Sequence, residues 1–312
     1  MAGEPVRLLV GGAPAIAGRT MGEKLAWLRS HGQRLRRGLM LEPRGHAAMH
    51  GALLTEPVSP GSHAGILSMH AGGFPELSGE SVIAAATIAL ENGLIETEAD
   101  QLIFDTPAGA VRAHPHLSPA GRVQRVALTN VPSFVFSGGG TIRLGKRALS
   151  VDIAFAGEFY AIVDGENAGL PVDGTHAAQL IAAAEDIRLA LEETKAVNGV
   201  IFTAPPRGEA DLRSATVLEG GILRRSPGLT GTCALLAVLD AMGLVAGDQT
   251  FTHEGVIGTT LKARVLSRHT ADDIPRVVPV VEATAWITGR HEFEVDARDP
   301  MKDGFVLGTS IG

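Results

Sequence analysis

Cysteine is nearly absent: Cys233 stands alone among 312 residues. One thiol excludes an intrachain disulfide framework, and such usage fits a reducing cytoplasm. Charge is also scarce, at 20% of residues, while 45% are hydrophobic, which excludes a disordered chain. An excess of basic residues is missing too, since the net charge is −7. That balance argues against a nucleic-acid surface. The strongest basic run, Arg34-Leu35-Arg36-Arg37, reads as the solvated face of a helix. No apolar run reaches the roughly 18 residues that a membrane-spanning helix needs. At the N-terminus, Glu4, two glycines and two prolines interrupt the apolar core that a signal peptide would require, so the stretch reads as an opening strand and turn of a soluble protein.

Glycine is abundant, with 39 copies, and the length suffices for two domains of about 150 residues. The segment "PELSGESVIAAATIALENGL" (75–94) predicts a helix that Ser78 caps and Gly93 ends. Val82, Ile83, Ala86, Ile88, Ala89 and Leu90 cover more than one face, so the helix is expected to be buried. Its N-terminal end still carries free N–H groups and a positive dipole, which must meet a protein group or an anionic ligand.

This segment has a counterpart. "GGFPELSGESVIAAATIALENGL" (72–94) resembles "GGILRRSPGLTGTCALLAVLDAMGL" (220–244). Gly72 and Gly220 lie 148 positions apart, Gly93 and Gly243 150, and Asp105/Glu254 and Gly109/Gly258 both 149. A common offset near half the length implies duplication into two similar halves. The surrounding runs, among them "VRLLVGG", "HGALLTEPV", "AGILSMHAGG" and "VVPVVEATAWITGRHEFEVD", read as antiparallel strands. Two further helices are expected, one over 20–40 with a Thr20–Glu23 capping box and one over 175–197. Each half is then a sheet wrapped around one apolar helix.

Other signals are weak. "SGGGTIRLG" lacks the glycine order of a dinucleotide loop and sits in an expected hairpin. His114-Pro115-His116 has no third ligand at convincing spacing, so no metal is expected. No phosphate-binding loop and no nucleophile elbow occur.

Several segments together resemble the proline racemase family over nearly the whole chain: "LEPRGHAAMHGALLTEP" (41–57), "NVPSFV" (130–135), "SVDIAFAGEFYAIVD" (150–164), "RSPGLTGT" (225–232), "HEGVIGTTLKARV" (253–265) and "AWITGRHEFEVDARDPMKDGFVL" (285–307). That family includes hydroxyproline epimerases and trans-3-hydroxy-L-proline dehydratases. The resemblance implies an α/β (α+β) diaminopimelate epimerase-like fold with two pseudo-symmetric halves, each a curved, mainly antiparallel sheet around a central helix. The halves are expected at 1–148 plus 288–312 and at 149–287, with the active cleft between them. It also implies chemistry without a cofactor on a proline or hydroxyproline. Two acid/base groups flank Cα, and backbone amides at the two helix mouths hold the carboxylate. A homodimer is compatible with it; a nucleic-acid or membrane partner is not expected.

The chain departs from the family at its catalytic positions. Where the family has Met-Cys-Gly-His, this sequence has Leu77-Ser78-Gly79-Glu80. Where it has Ser-Pro-Cys-Gly-Thr, this sequence has Ser226-Pro227-Gly228-Leu229-Thr230, and Arg224 replaces a usual Asp. Serine is a far weaker acid than cysteine and needs a base beside it. Glu80 and His46 are the candidates, and a plain helix cap is the bland alternative for Ser78. Cys233, five residues past Gly228, reads as a small core residue. The expected site is therefore Ser78 and Glu80 as catalytic groups, with Gly79, Arg224, Gly228, Thr230 and Gly231 binding substrate. Because Gly228 brings no side chain, one-base elimination, as in trans-3-hydroxy-L-proline dehydration, is favoured over two-base epimerisation or racemisation. A hydroxyproline-binding relative without turnover remains the further alternative.

Overall fold

The computed structural model describes residues 1–192, 195–247 and 249–306. The chain divides into two compact units. The first contains Met1, Gly3–Leu128 and the segment from Thr284 onward; the second contains Ala2 and Thr129–Ala283. The tail of the expected first half, 307–312, lies outside the described residues.

The first unit runs β1 (Val6–Leu9), α1 (Met21–His31), α2 (Gln33–Met40), β2 (His50–Thr55), β3 (Ala64–His70), α3 (Gly79–Glu91), β4 (Leu102–Thr106), β5 (Gly109–Leu117) and β6 (Val123–Thr129). Its strands lie in sequential order. Not every pair is antiparallel, as the alternation had suggested: β1/β2 and β3/β4 are parallel. Helices sit inside both parallel connections, because parallel neighbours need a crossover. The helix expected over 20–40 breaks at Gly32, where a Cβ would stand 2.8 Å from the Leu28 carbonyl oxygen. Its capping signal is real. Thr20 accepts the Glu23 N–H at 3.1 Å, and the Glu23 carboxylate accepts the Arg19 N–H at 2.7 Å.

Two layers of core hold this unit. Met21, Leu25, Leu28 and Met40 pack against Leu53, Leu67, Met69 and Phe74. On the sheet's other side, α3 lies against β1, β2, β3 and β5. Val82, Ile83, Ala85, Ala86 and Ala89 have no exposed surface, as an all-round apolar helix requires. The basic run is not a solvated face. Only Arg34 is open, paired with Asp303 at 2.7 Å. Arg36 is buried and donates to the carbonyls of His70 and Ala71, and Arg37 donates to those of Asp303 and Gly304. Long guanidinium stems can cover apolar surface while their heads bind backbone, which a count of charges does not reveal.

The second unit runs β7 (Phe134–Leu144), β8 (Arg147–Phe155), β9 (Phe159–Asp164), α4 (Gly165–Ala168), a 3-10 turn at Gly174–His176, α5 (Ala177–Leu191), β10 (Gly199–Ala204), β11 (Leu212–Leu218), β12 (Ile222–Leu223), α6 (Leu229–Ala241), β13 (Phe251–Glu254), β14 (Thr260–Ala271) and β15 (Ile274–Ala283). The helix expected over 175–197 is this turn plus α5 and ends early, at Leu191; positions 193–194 lie outside the described residues, and 195–197 are irregular. The strand order is β15-β14-β13-β11-β10-β9-β8-β7, with β12 on β11. The sheet's two ends meet where Ser133 and Val277 exchange backbone hydrogen bonds of 2.7 and 2.9 Å. Helix α6 packs inside against β7, β8, β9, β14 and β15, while α5 covers the outer face. The strand expected over 277–296 stops at Ala283. Beyond it the chain runs irregularly along the first unit, where Arg290 donates to Asn92 at 2.7 Å and the Arg7 guanidinium lies 4.5 Å from the Phe293 ring centroid.

The duplication is visible in the element order. The series β1–helix–β2–β3–α3–β4–β5–β6 recurs as β9–helix–β10–β11–α6–β13–β14–β15, and α3 and α6 both have 13 residues. Matched glycines adopt the same left-handed turn: Gly93 and Gly243 at φ 65° and 72°, Gly109 and Gly258 at 109° and 82°. Asp105 and Glu254 perform one task twice. The Asp105 carboxylate accepts the Val58 N–H at 2.7 Å in the β2–β3 loop, and Glu254 accepts the Arg207 N–H at 2.9 Å in the β10–β11 loop. Val58 and Arg207 stand 149 positions apart, as do the carboxylates.

Burial raises the Asp105 carboxyl, but hydrogen bonds from Ser59, Val58 and Ser62 outweigh it and hold the group below the usual range. Asp105→Ala strips several donors of their acceptor and should cost about 3 kcal/mol, whereas Glu254→Ala should cost roughly half that. Urea unfolding of both variants measures this; losses below about 0.5 kcal/mol in each would contradict the paired-clamp account.

Candidate functional site

The sequence-predicted residues gather at two helix mouths. In the first unit, Ser78 has extended backbone, φ −139° and ψ 117°, as an N-cap requires. Its Oγ accepts the Ser81 N–H at 3.2 Å and donates to Glu80 Oε2 at 3.3 Å. The Ser81 hydroxyl in turn donates to the Gly51 carbonyl at 3.2 Å, tying the helix start to β2. Glu80 is buried in the first turn of α3, where the helix dipole favours its anion. Ser78 thus has a carboxylate beside its hydroxyl, and it caps the helix as well. The His46 Nδ1 accepts the Ala48 N–H at 3.2 Å.

In the second unit, α6 starts differently. Gly228 occupies φ 81°, ψ 130°, and no side chain caps the helix. A left-handed φ of this kind strains any residue with a Cβ. Among the described residues, the N–H groups of Leu229, Thr230 and Gly231 have no protein acceptor, leaving an open set of donors. Gly228 is held from both sides: its N–H reaches Ser226 Oγ at 3.1 Å, and its carbonyl accepts the Thr232 N–H and hydroxyl at 2.9 and 2.6 Å. Arg224 is buried and its N–H donates to the Thr216 carbonyl at 2.8 Å.

Sequence reasoning missed two polar chains behind this turn. The first joins His253 Nδ1 to Thr232 Oγ1 at 2.9 Å and Nε2 to Ser214 Oγ at 2.8 Å. The Thr232 proton is spent on the Gly228 carbonyl, so the network assigns the His253 proton to Nδ1 and makes Nε2 accept from Ser214. The second runs from Asn198 to the Glu158 carboxylate, to the Tyr160 phenol at 3.1 Å, and on to Thr230 Oγ1 at 2.7 Å. One signal could have flagged it: Tyr160 is the chain's single tyrosine, set in an apolar strand where its hydroxyl needs a partner. Cys233 is a core residue, as expected, and burial pushes its thiol up. Among the described residues, no group of three His, Cys, Asp or Glu side chains is placed to hold a metal.

His253 is fully buried, and burial pushes its imidazole down to about 3. The unfolded chain takes up this proton near pH 6.5 and the folded one does not, so acid favours unfolding. The contribution is complete above pH 6.5 and falls by up to about 1.4 kcal/mol per unit between 6.5 and 3. Denaturant curves at several pH values test this: His253→Gln should flatten the slope in that window, and an unchanged slope would exclude the assignment.

The proline racemase family pattern matches residues 1–306. A trans-3-hydroxy-L-proline dehydratase of Bacillus thuringiensis subsp. konkukian is 39% identical, covering 99% of this chain and 96% of the relative. A proline racemase of Clostridioides difficile is 34% identical over 98% and 96%. The solved hydroxyproline epimerase of Agrobacterium vitis, with bound trans-4-hydroxy-L-proline, is 30% identical. It superposes with a TM-score of 0.85 over 98% of this chain and 92% of that one. The repeated sheet-and-helix architecture is thus the diaminopimelate epimerase-like fold that the sequence implied.

Proposed function

Because the chain belongs to the proline racemase family, we propose that it is a cofactor-independent cytoplasmic lyase that dehydrates trans-3-hydroxy-L-proline. The observation that carries this reading is the unequal chemistry of the two helix mouths. One holds Ser78 against Glu80, and the other begins at Gly228, which has no side chain. Racemisation and epimerisation need an acid/base group on each face of Cα. Elimination from this substrate does not. In trans-3-hydroxy-L-proline the Cα hydrogen and the 3-hydroxyl lie on the same ring face, so one group can remove the proton and return it to the departing hydroxyl.

In this reading the Ser78 hydroxyl passes the Cα proton to Glu80. The Cα–H electron pair forms the Cα=C3 bond, the C3–O bond breaks, and hydroxide leaves with a proton as water. Gly79, Gly228, Thr230, Gly231 and Arg224 bind the substrate, with backbone N–H groups taking the carboxylate. Burial raises the Tyr160 phenol, and the nearby positive charge of Arg224 opposes that rise only in part. A second reading, ligand binding without turnover, draws support from Ser78 already serving as a cap.

Proton NMR in D₂O with proline, trans-3-hydroxyproline and both 4-hydroxyproline isomers decides between them. Elimination from the 3-hydroxy compound alone is the expected result. Cα exchange without loss of hydroxyl would indicate an epimerase, and binding with no reaction would indicate the second reading. Glu80→Gln should lower turnover by roughly 10³-fold or more. If Ser78→Ala leaves turnover intact while Glu80→Gln abolishes it, Ser78 is a helix cap only.

A further inference from the structure

The chain Asn198–Glu158–Tyr160–Thr230 has a direction fixed by chemistry. A carboxylate only accepts hydrogen bonds, so both the Asn198 amide and the Tyr160 hydroxyl must donate to Glu158. Tyr160 has one proton, and it is spent there. At 2.7 Å the remaining hydrogen bond must therefore be donated by Thr230 to the phenol oxygen. Tyr160 is buried, and burial together with the Glu158 charge keeps its proton on well beyond the usual range. With its proton committed inward, Thr230 Oγ1 has only lone pairs left for a ligand.

Thr230 sits in the first turn of α6, beside the open N–H groups of Leu229 and Gly231. Those N–H groups offer donors, and an outward hydroxyl proton would merely add one more. From this geometry we infer that Thr230 is a specificity-determining acceptor, held in that polarity by Tyr160 and Glu158, which selects ligands that donate a hydrogen from the ring. On the hydroxyproline reading, which this inference deepens, the donor is the ring ammonium or ring hydroxyl, while the carboxylate goes to backbone N–H groups. Tyr160 is then a positioning residue: it does not touch the ligand but decides which way Thr230 points its proton.

The test compares L-proline with (S)-tetrahydrofuran-2-carboxylate, whose ring oxygen cannot donate, by calorimetry or competition. The wild-type protein should prefer L-proline. In Tyr160→Phe, Thr230 is free to rotate and donate, so that preference should shrink by roughly tenfold relative to wild type. Glu158 is exposed, so Glu158→Ala removes the orienting acceptor without opening the core and should give the same change. Thr230→Ser should keep the preference and Thr230→Val should lose it. A purely structural role would weaken both ligands by one factor, and an unchanged ratio in both Tyr160→Phe and Glu158→Ala overturns the inference while leaving the proposed reaction standing. If the wild-type protein binds neither ring compound and turns over no hydroxyproline, the reaction falls and the inference with it.

Discussion

The first turn of a buried helix is the constraint on which this protein is organised. A helix that is apolar all round must be wrapped by sheet, and α3 and α6 are each so wrapped within their own unit. Their opening N–H groups have no partner inside the helix, and burial removes water as a substitute. Each mouth must therefore be closed by the protein or kept for something that binds. This one requirement explains Ser78, Gly79 and Ser81 at the start of α3, and Gly228, Thr230, Gly231 and Thr232 at the start of α6.

The duplicated halves satisfy it differently. In the first unit, Ser78 closes the turn and brings a carboxylate against its own hydroxyl. In the second, the cap position is a glycine with positive φ, so the chain gives up a side chain there and leaves the donors open. Duplication supplies two equal scaffolds, seen in the matched loop clamps of Asp105 and Glu254, and divergence is concentrated at the mouths. This asymmetry is the feature on which the proposed one-base elimination rests.

The parts legible in the sequence were those written in local pattern. The Ser78 cap and the all-round apolar helix rest on neighbours in the chain, and the 149-position offset on two such local patterns that resemble each other. The rest depends on contacts that local pattern does not encode. Alternation of apolar residues reports a strand's faces but not its direction, so the parallel pairs β1/β2 and β3/β4 were hidden. The pattern over 20–40 carries no local mark of the break at Gly32, where a Cβ would stand 2.8 Å from the Leu28 carbonyl oxygen. Residues 284–296 have strand-like composition, yet Trp286 is 76% exposed and the segment pairs with nothing regular. Of the candidate site, the sequence showed only the motif positions at the two helix starts. Glu158, Tyr160, Asn198 and His253 were not legible, because they come from other strands and loops and look like ordinary core or surface residues.

Those unread residues set the electrostatics of the second mouth. Thr232 and Thr230 lie two apart in α6, and each is engaged by a chain of polar partners from outside the helix. Thr232 donates to the Gly228 carbonyl, which holds the glycine that opens the turn, and accepts from His253, whose other nitrogen accepts from Ser214. Tyr160 and Glu158 leave Thr230 donating away from the mouth. The turn therefore presents backbone donors and one side-chain acceptor, all oriented before any ligand arrives. Dipoles fixed in advance avoid reorganisation on binding, so on the proposed reading recognition at this mouth draws on a hydroxyl proton held in place as well as on charge.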